Sequence, residues 1–154
     1  MKAVIRPLMI ALLALPLAVR AAEGPDNAAS SDPVLQQARE ATARKDFAAA
    51  AAILHDALAK APANPEYHNL YAYAVRKGPN PDMNQVFRHY NEALRLAPKH
   101  RGAHEYIGEA YLMVGDLPKA REHLAQLDRL CFFGCEEYTD LKKAIAEYET
   151  KGKP

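Results

Sequence analysis

Cys131-Phe-Phe-Gly-Cys135 is the one short segment whose residue types and spacing carry recognisable chemistry. Three readings are open to it. With Gly134 letting the backbone turn a corner, two thiols with three residues between them can reach the ~4.4–6.8 Å Cα separation of a disulfide. As thiolates the pair suits a soft metal, Cu(I) above all. As a labile dithiol it is a redox switch. Haem attachment is excluded, because that needs two intervening residues and a following histidine. The histidines are His55, His68, His89, His100, His104 and His123. His100 and His104 share a helical face and form a candidate metal pair. They lack the intervening glutamate of a zinc protease, and a metal site usually needs three or four placed ligands. No metal ligand set is therefore assigned. No Ser-His-Asp order, glycine-rich phosphate loop or paired-acid motif is present, so neither a catalytic residue nor a cofactor is expected. Glu136 and Glu137, beside Cys135, read as favourable negative charge at a helix N-terminus.

Compartment bears on the cysteines. Residues 1–21 read as a cleaved secretory signal: Lys2 and Arg6 precede an apolar run of 12 residues, Leu8 to Val19, too short to span a bilayer comfortably. Val19-Arg20-Ala21 offers small residues at the cleavage positions. Cleavage after Ala21 removes Lys2, Arg6 and Arg20, turning 20 basic against 19 acidic residues into 17 against 19. A mildly acidic chain without a basic stripe argues against nucleic acid, and no polybasic patch suggests stable membrane docking. The expectation is a periplasmic or secreted protein with no stable anchor after cleavage. Two cysteines in an exported chain favour a Cys131–Cys135 bridge. The spacing is similar to that of copper-delivery proteins of the Sco type, where a distant histidine joins the pair. The strands and following proline of that family are missing here. A periplasmic copper or redox accessory protein using Cys131 and Cys135 is kept as the alternative function.

The elements that would position any site come from a recurrence of about 34 residues. His104-x2-Ile107-Gly108-x2-Tyr111 is followed by Gly115-Asp116 and Ala120-x3-Leu124. Earlier copies end in Tyr90-x2-Ala93-x4-Pro98 and Leu54-x2-Ala57-x4-Pro62. Apolar spacing predicts helices over 33–44, 47–60, 65–77, 81–96, 101–114, 117–130 and 136–150. Asp32-Pro33, Asn64-Pro65 and Asn80-Pro81 read as caps followed by proline in the first turn. Asp46 and Asp116 are cap candidates for two more. Residues 22–31 are small and polar and read as a flexible leader. Residues 32–150 form one helical repeat domain, and 151–154 a disordered tail.

These residues resemble the tetratricopeptide repeat (TPR) family. The third repeat supplies His104, Ile107, Gly108, Tyr111, Ala120, Leu124 and Leu127. The second supplies His68, Tyr71, Ala72, Val75, Val86, Tyr90, Ala93 and Pro98, and the first Val34, Gln37, Ala38, Ala41, Ala50, Leu54, Ala57 and Pro62. The resemblance implies an all-α fold: a right-handed superhelical stack of three helical hairpins plus a C-terminal capping helix carrying Tyr138, Leu141, Ile145 and Tyr148. Ala38, Ala72 and Gly108 are expected where the two helices of one hairpin come close.

The resemblance also implies a concave groove that binds a peptide segment or helix of a protein partner. Its expected lining is Leu35, Arg39 and Thr42, then Asn69, Tyr73 and Arg76, then Glu105, Glu109 and Leu112. Arg39, Asn69, Tyr73, Arg76, Glu105 and Glu109 are the expected partner-binding residues, basic at one end and acidic at the other. Some chaperone-binding members clamp a terminal carboxylate. Their clamp positions fall here on Leu35, Arg39, Leu70, Gly102 and Tyr106, of which only Arg39 is a charged donor, so that specialised activity is not expected.

Overall fold

The computed structural model describes residues 32–151. The expected signal segment, the leader and residues 152–154 lie outside the described residues. Seven helices follow one another: α1 Pro33–Ala43, α2 Phe47–Lys60, α3 Pro65–Lys77, α4 Met83–Leu96, α5 Arg101–Met113, α6 Leu117–Leu130 and α7 Glu136–Lys151. Each packs on its neighbours in the chain, while α1, α3, α5 and α7 also touch in succession. The result is a stack of three hairpins closed by α7, with no strand among the described residues.

The helix starts follow from side-chain oxygens accepting free first-turn N–H groups. Asp32 caps α1, Asp46 α2, Asn64 α3 and Asp116 α6. Asp32 also accepts a hydrogen bond from the Tyr67 hydroxyl at 2.8 Å, tying the first cap to α3. The start of α4 differs from expectation. Asn80 takes a positive φ of 52° in the turn, and Asp82 caps a helix that begins at Met83. The two extra turn residues of the second hairpin thus move the cap two positions on. The first and third hairpins turn more tightly: Lys45 and Gly115 sit at φ 60° and 81°. In each, the following aspartate donates its N–H five residues back, Asp46 to Ala41 and Asp116 to Tyr111, a Schellman closure. The last helix runs through Lys151, one residue into the stretch read as a tail.

The core is continuous across hairpins. Leu35, Ala38 and Leu54 meet Tyr67 and Tyr71 of the next unit. Ala72, Val86 and Tyr90 meet Ile107 and Ala110, and Leu112, Ala120 and Leu127 meet Leu141 and Ile145 of α7. One small position departs from expectation. A Cβ on Gly108 would lie 2.6 Å from Leu141 Cδ2. The gap at Gly108 is therefore filled by α7, and its role is to admit that helix.

Two histidine pairs stitch the hairpins internally. His68 Nε2 lies 2.9 Å from the Pro62 carbonyl and its Nδ1 2.8 Å from His89 Nδ1. His104 repeats this with Pro98 at 3.0 Å and His123 at 3.0 Å. A carbonyl only accepts, so Nε2 of His68 and His104 carries the proton and their Nδ1 accepts from the partner ring. His104 is thus the buried packing residue its repeat position implies, and it faces His123 rather than pairing with His100.

Burial, with the facing His68, pushes His89 down to about 4, and burial with the facing His104 does the same to His123. Groups depressed in the folded state bind more protons when unfolded. Their contribution to stability is complete above the ordinary histidine value of ~6.5 and is lost as pH falls from there through about 4. Urea unfolding should show a clear loss of stability between pH 7 and pH 5. The loss should be smaller in a His89→Gln/His123→Gln variant, whose amides donate without titrating. Equal losses in the two proteins would refute this role for the pairs.

Candidate functional site

The inner helices line one cleft of about 520 Å³. Arg39, Thr42 and Ala43 come from α1; Glu66, Asn69, Leu70 and Tyr73 from α3; Gly102, Glu105 and Tyr106 from α5; Glu136, Glu137 and Asp140 from α7; and His100 from the residue capping α5. Spacings of three and four put each set on one helix face. Tyr73 and Tyr106 stand with ring centroids 4.8 Å apart and form the aromatic wall.

Of the expected groove residues, Arg39, Thr42, Asn69, Tyr73 and Glu105 are on this surface. Leu35 and Leu112 are buried in the core instead, because the apolar face of each inner helix turns toward its own hairpin. Arg76 and Glu109 do not line the cleft. Arg76 is only 5% exposed, with its guanidinium 2.6 Å from Glu109 Oε2 and its Nε 3.3 Å from the Tyr90 hydroxyl. It lies 5.5 Å from the Tyr73 ring centroid and 5.8 Å from that of Tyr106. Arg76 is thus an internal brace for the aromatic wall, its guanidinium buried and held by Glu109 and Tyr90.

The other expected cation is also engaged. Arg39 Nη2 meets Glu66 Oε1 at 2.8 Å, and His100 Nε2 meets Glu66 Oε2 at 2.7 Å. His100 Nδ1 accepts the Ala103 N–H at 3.2 Å, so the His100 proton sits on Nε2 and points at Glu66. Burial works against the Glu66 charge, but His100 and Arg39 hold its carboxyl below the usual range. The groove is therefore not basic at one end. Its cations are neutralised, and an acidic end remains.

That end is built by residues the sequence reading placed elsewhere. Glu136, Glu137 and Asp140 look like the polar face and dipole-complementing charge of a capping helix. Packing α7 against α5 turns them into a groove wall. Glu137 meets Arg101 at 3.5 Å. Among the described residues Glu105, Glu136 and Asp140 have no ion-pair partner. Glu105 is 8% exposed. Burial first, then repulsion from Glu109, Asp140 and Glu137, pushes its carboxyl up to about 8 against the pull of Arg76.

Cys131 and Cys135 have Cα atoms 5.5 Å apart with their sulfurs at bonding distance. Their Sγ atoms and a Glu137 oxygen lie within 4.8 Å of one another. Between them Phe132 and Phe133 are 87% and 96% exposed, an apolar tip that the motif alone did not distinguish from buried aromatics.

No protein-family model matches the chain, and no curated protein matches it. Among solved structures it is similar to the Sgt2 TPR domain from Aspergillus fumigatus. The identity is 24%, the match covers 80% of this chain and 83% of that one, and the TM-score is 0.65. The fold is that of a TPR domain. The all-α stack with its closing helix agrees with the fold class expected from the repeat residues.

The internal position of Arg76 separates it experimentally from Tyr73. Arg76→Ala leaves Glu109 and the Tyr90 hydroxyl without their partner and should cost about 3 kcal/mol. Tyr73→Ala, truncating a half-buried ring at the groove, should cost about 1 kcal/mol. Urea unfolding measures both, and an Arg76→Ala protein as stable as Tyr73→Ala would contradict the brace.

Proposed function

We propose that this chain is an exported interaction module whose concave cleft binds a peptide segment or helix of an envelope protein. One observation carries the reading: side chains from all four inner helices converge on a single polar cleft with an aromatic wall. Such a surface offers rigid rings for contact and acceptors for orientation. Export rests on the apolar run behind Lys2 and Arg6, and it predicts a mature N-terminus at Ala22. No helix among the described residues is long and apolar enough to cross a membrane.

The convergence of Cys131, Cys135 and Glu137 favours a second reading, a copper or redox accessory role open to the reduced pair. Both readings meet in one preparation. Protein isolated from the envelope should carry no titratable thiol and no stoichiometric copper. Immobilised wild-type protein should capture specific envelope proteins that Tyr73→Ala loses and the outer-surface control Arg88→Ala keeps. Capture unaffected by Tyr73→Ala would remove the cleft as the site. Free thiols holding Cu(I) would put the accessory role in its place.

A further inference from the structure

The acidic end of the cleft contains an independent sign of what it binds. Asn69 is 2% exposed, lines the cleft, and its Oδ1 is a buried acceptor with no hydrogen-bond partner among the described residues. Buried polar atoms are nearly always satisfied, and an orphan in a binding cleft points to a missing ligand donor. Beside it Glu105, more than nine-tenths buried, has neither a hydrogen bond nor an ion pair among the described residues. Asp140 faces the same cleft from α7 without an ion pair. The two arginines expected in the groove are already paired, Arg39 with Glu66 and Arg76 with Glu109. What remains beside Asn69 is the pair of unpaired acids Glu105 and Asp140, bordered by Tyr73 and Tyr106.

We propose that the α3–α5–α7 end of the cleft takes a lysine or arginine side chain of the bound peptide, its N–H groups donating to Asn69 Oδ1 and to the carboxylates of Glu105 and Asp140. This rests on the cleft being a peptide site. The ligand is a basic segment, the opposite charge class from a terminal carboxylate. The groups facing Glu105 are Glu109 on its own helix, Asp140 and Glu137 on α7, and Arg76 on α3. They and burial keep its proton on near neutrality, so an entering cation displaces that proton.

The test is titration of the full chain at pH 7 with three acetylated, amidated octapeptides, of alternating alanine–lysine, alanine–glutamate and alanine–serine. Calorimetry supplies affinities, and amide chemical shifts locate binding. The lysine peptide should bind, shift residues 66–73 and 102–106, and release protons, seen as a buffer-dependent heat. The glutamate peptide should not bind. A Glu105→Gln/Asp140→Asn variant should lose about tenfold or more in affinity for the lysine peptide, the scale of losing hydrogen bonds to a charged group. If that variant fails to fold, the three-peptide comparison on wild type decides. Equal binding of lysine and glutamate peptides overturns the proposal, as does lysine-peptide affinity unchanged in a folded variant. If the serine or glutamate peptide binds instead and Tyr73→Ala abolishes that binding, the cation pocket is refuted while the peptide cleft stands. If no peptide shifts those residues, both are refuted.

Discussion

Leu141 occupying the space above Gly108 is the contact on which the concave side depends. A helical hairpin has an apolar face it cannot bury within itself, so each unit leaves its successor something to cover. The chain of coverage runs from Leu35 and Leu54 through Tyr71, Val86 and Ile107 to Leu127, and it would end on an open surface at α5 and α6. Leu141, fully buried, and Ile145 close it. Leu141 reaches that depth because residue 108 has no side chain. The same docking carries the N-terminal turn of α7 to the cleft, so the element that ends the core also builds the acidic wall. Cys131 and Cys135, with their sulfurs at bonding distance, sit immediately before this turn.

Charge pairing between repeats decides what the cleft can recognise. Arg39 and His100 reach Glu66 from 27 and 34 residues away, and Arg76 reaches Glu109 across 33. Each link joins consecutive inner helices, and two of them pair an arginine with a glutamate. An inventory of the groove by residue type contains both signs, whereas the lining groups left without an ion pair among the described residues are the acids Glu105, Glu136 and Asp140. Burial then gives the leftover acid unequal characters. Glu66 is held ionised by two partners, while Glu105, lacking one, keeps its proton to about 8.

Much of this was legible in the sequence because local rules decide it. The 3.6-residue apolar period and the Asp and Asn caps place six of the seven helix starts, and the period of about 34 residues implies the stack. Asn80 misled because a proline after a capping residue is only a local signal, and the longer turn needed Asn80 at positive φ. The harder features were contacts between residues a full repeat apart. Periodicity says that Gly108 lies on an apolar face but not which helix covers it. Repeat position puts Arg76 near the groove, yet a long side chain with a buried tyrosine and a glutamate in reach turns inward. Glu136, Glu137 and Asp140 have the composition of a solvated face, and only the packing of α7 against α5 makes them part of a site.

The most direct test of this account is residue-resolved amide exchange of the full chain carrying Leu141→Ala. If α7 is docked through Leu141 onto Gly108, exchange should speed up across residues 136–151 and at the α5 face it covers, while residues 33–96 keep wild-type protection. Unchanged protection in 136–151, or a uniform loss along the whole stack, would contradict the claim that this single contact both closes the core and sets the acidic wall of the cleft.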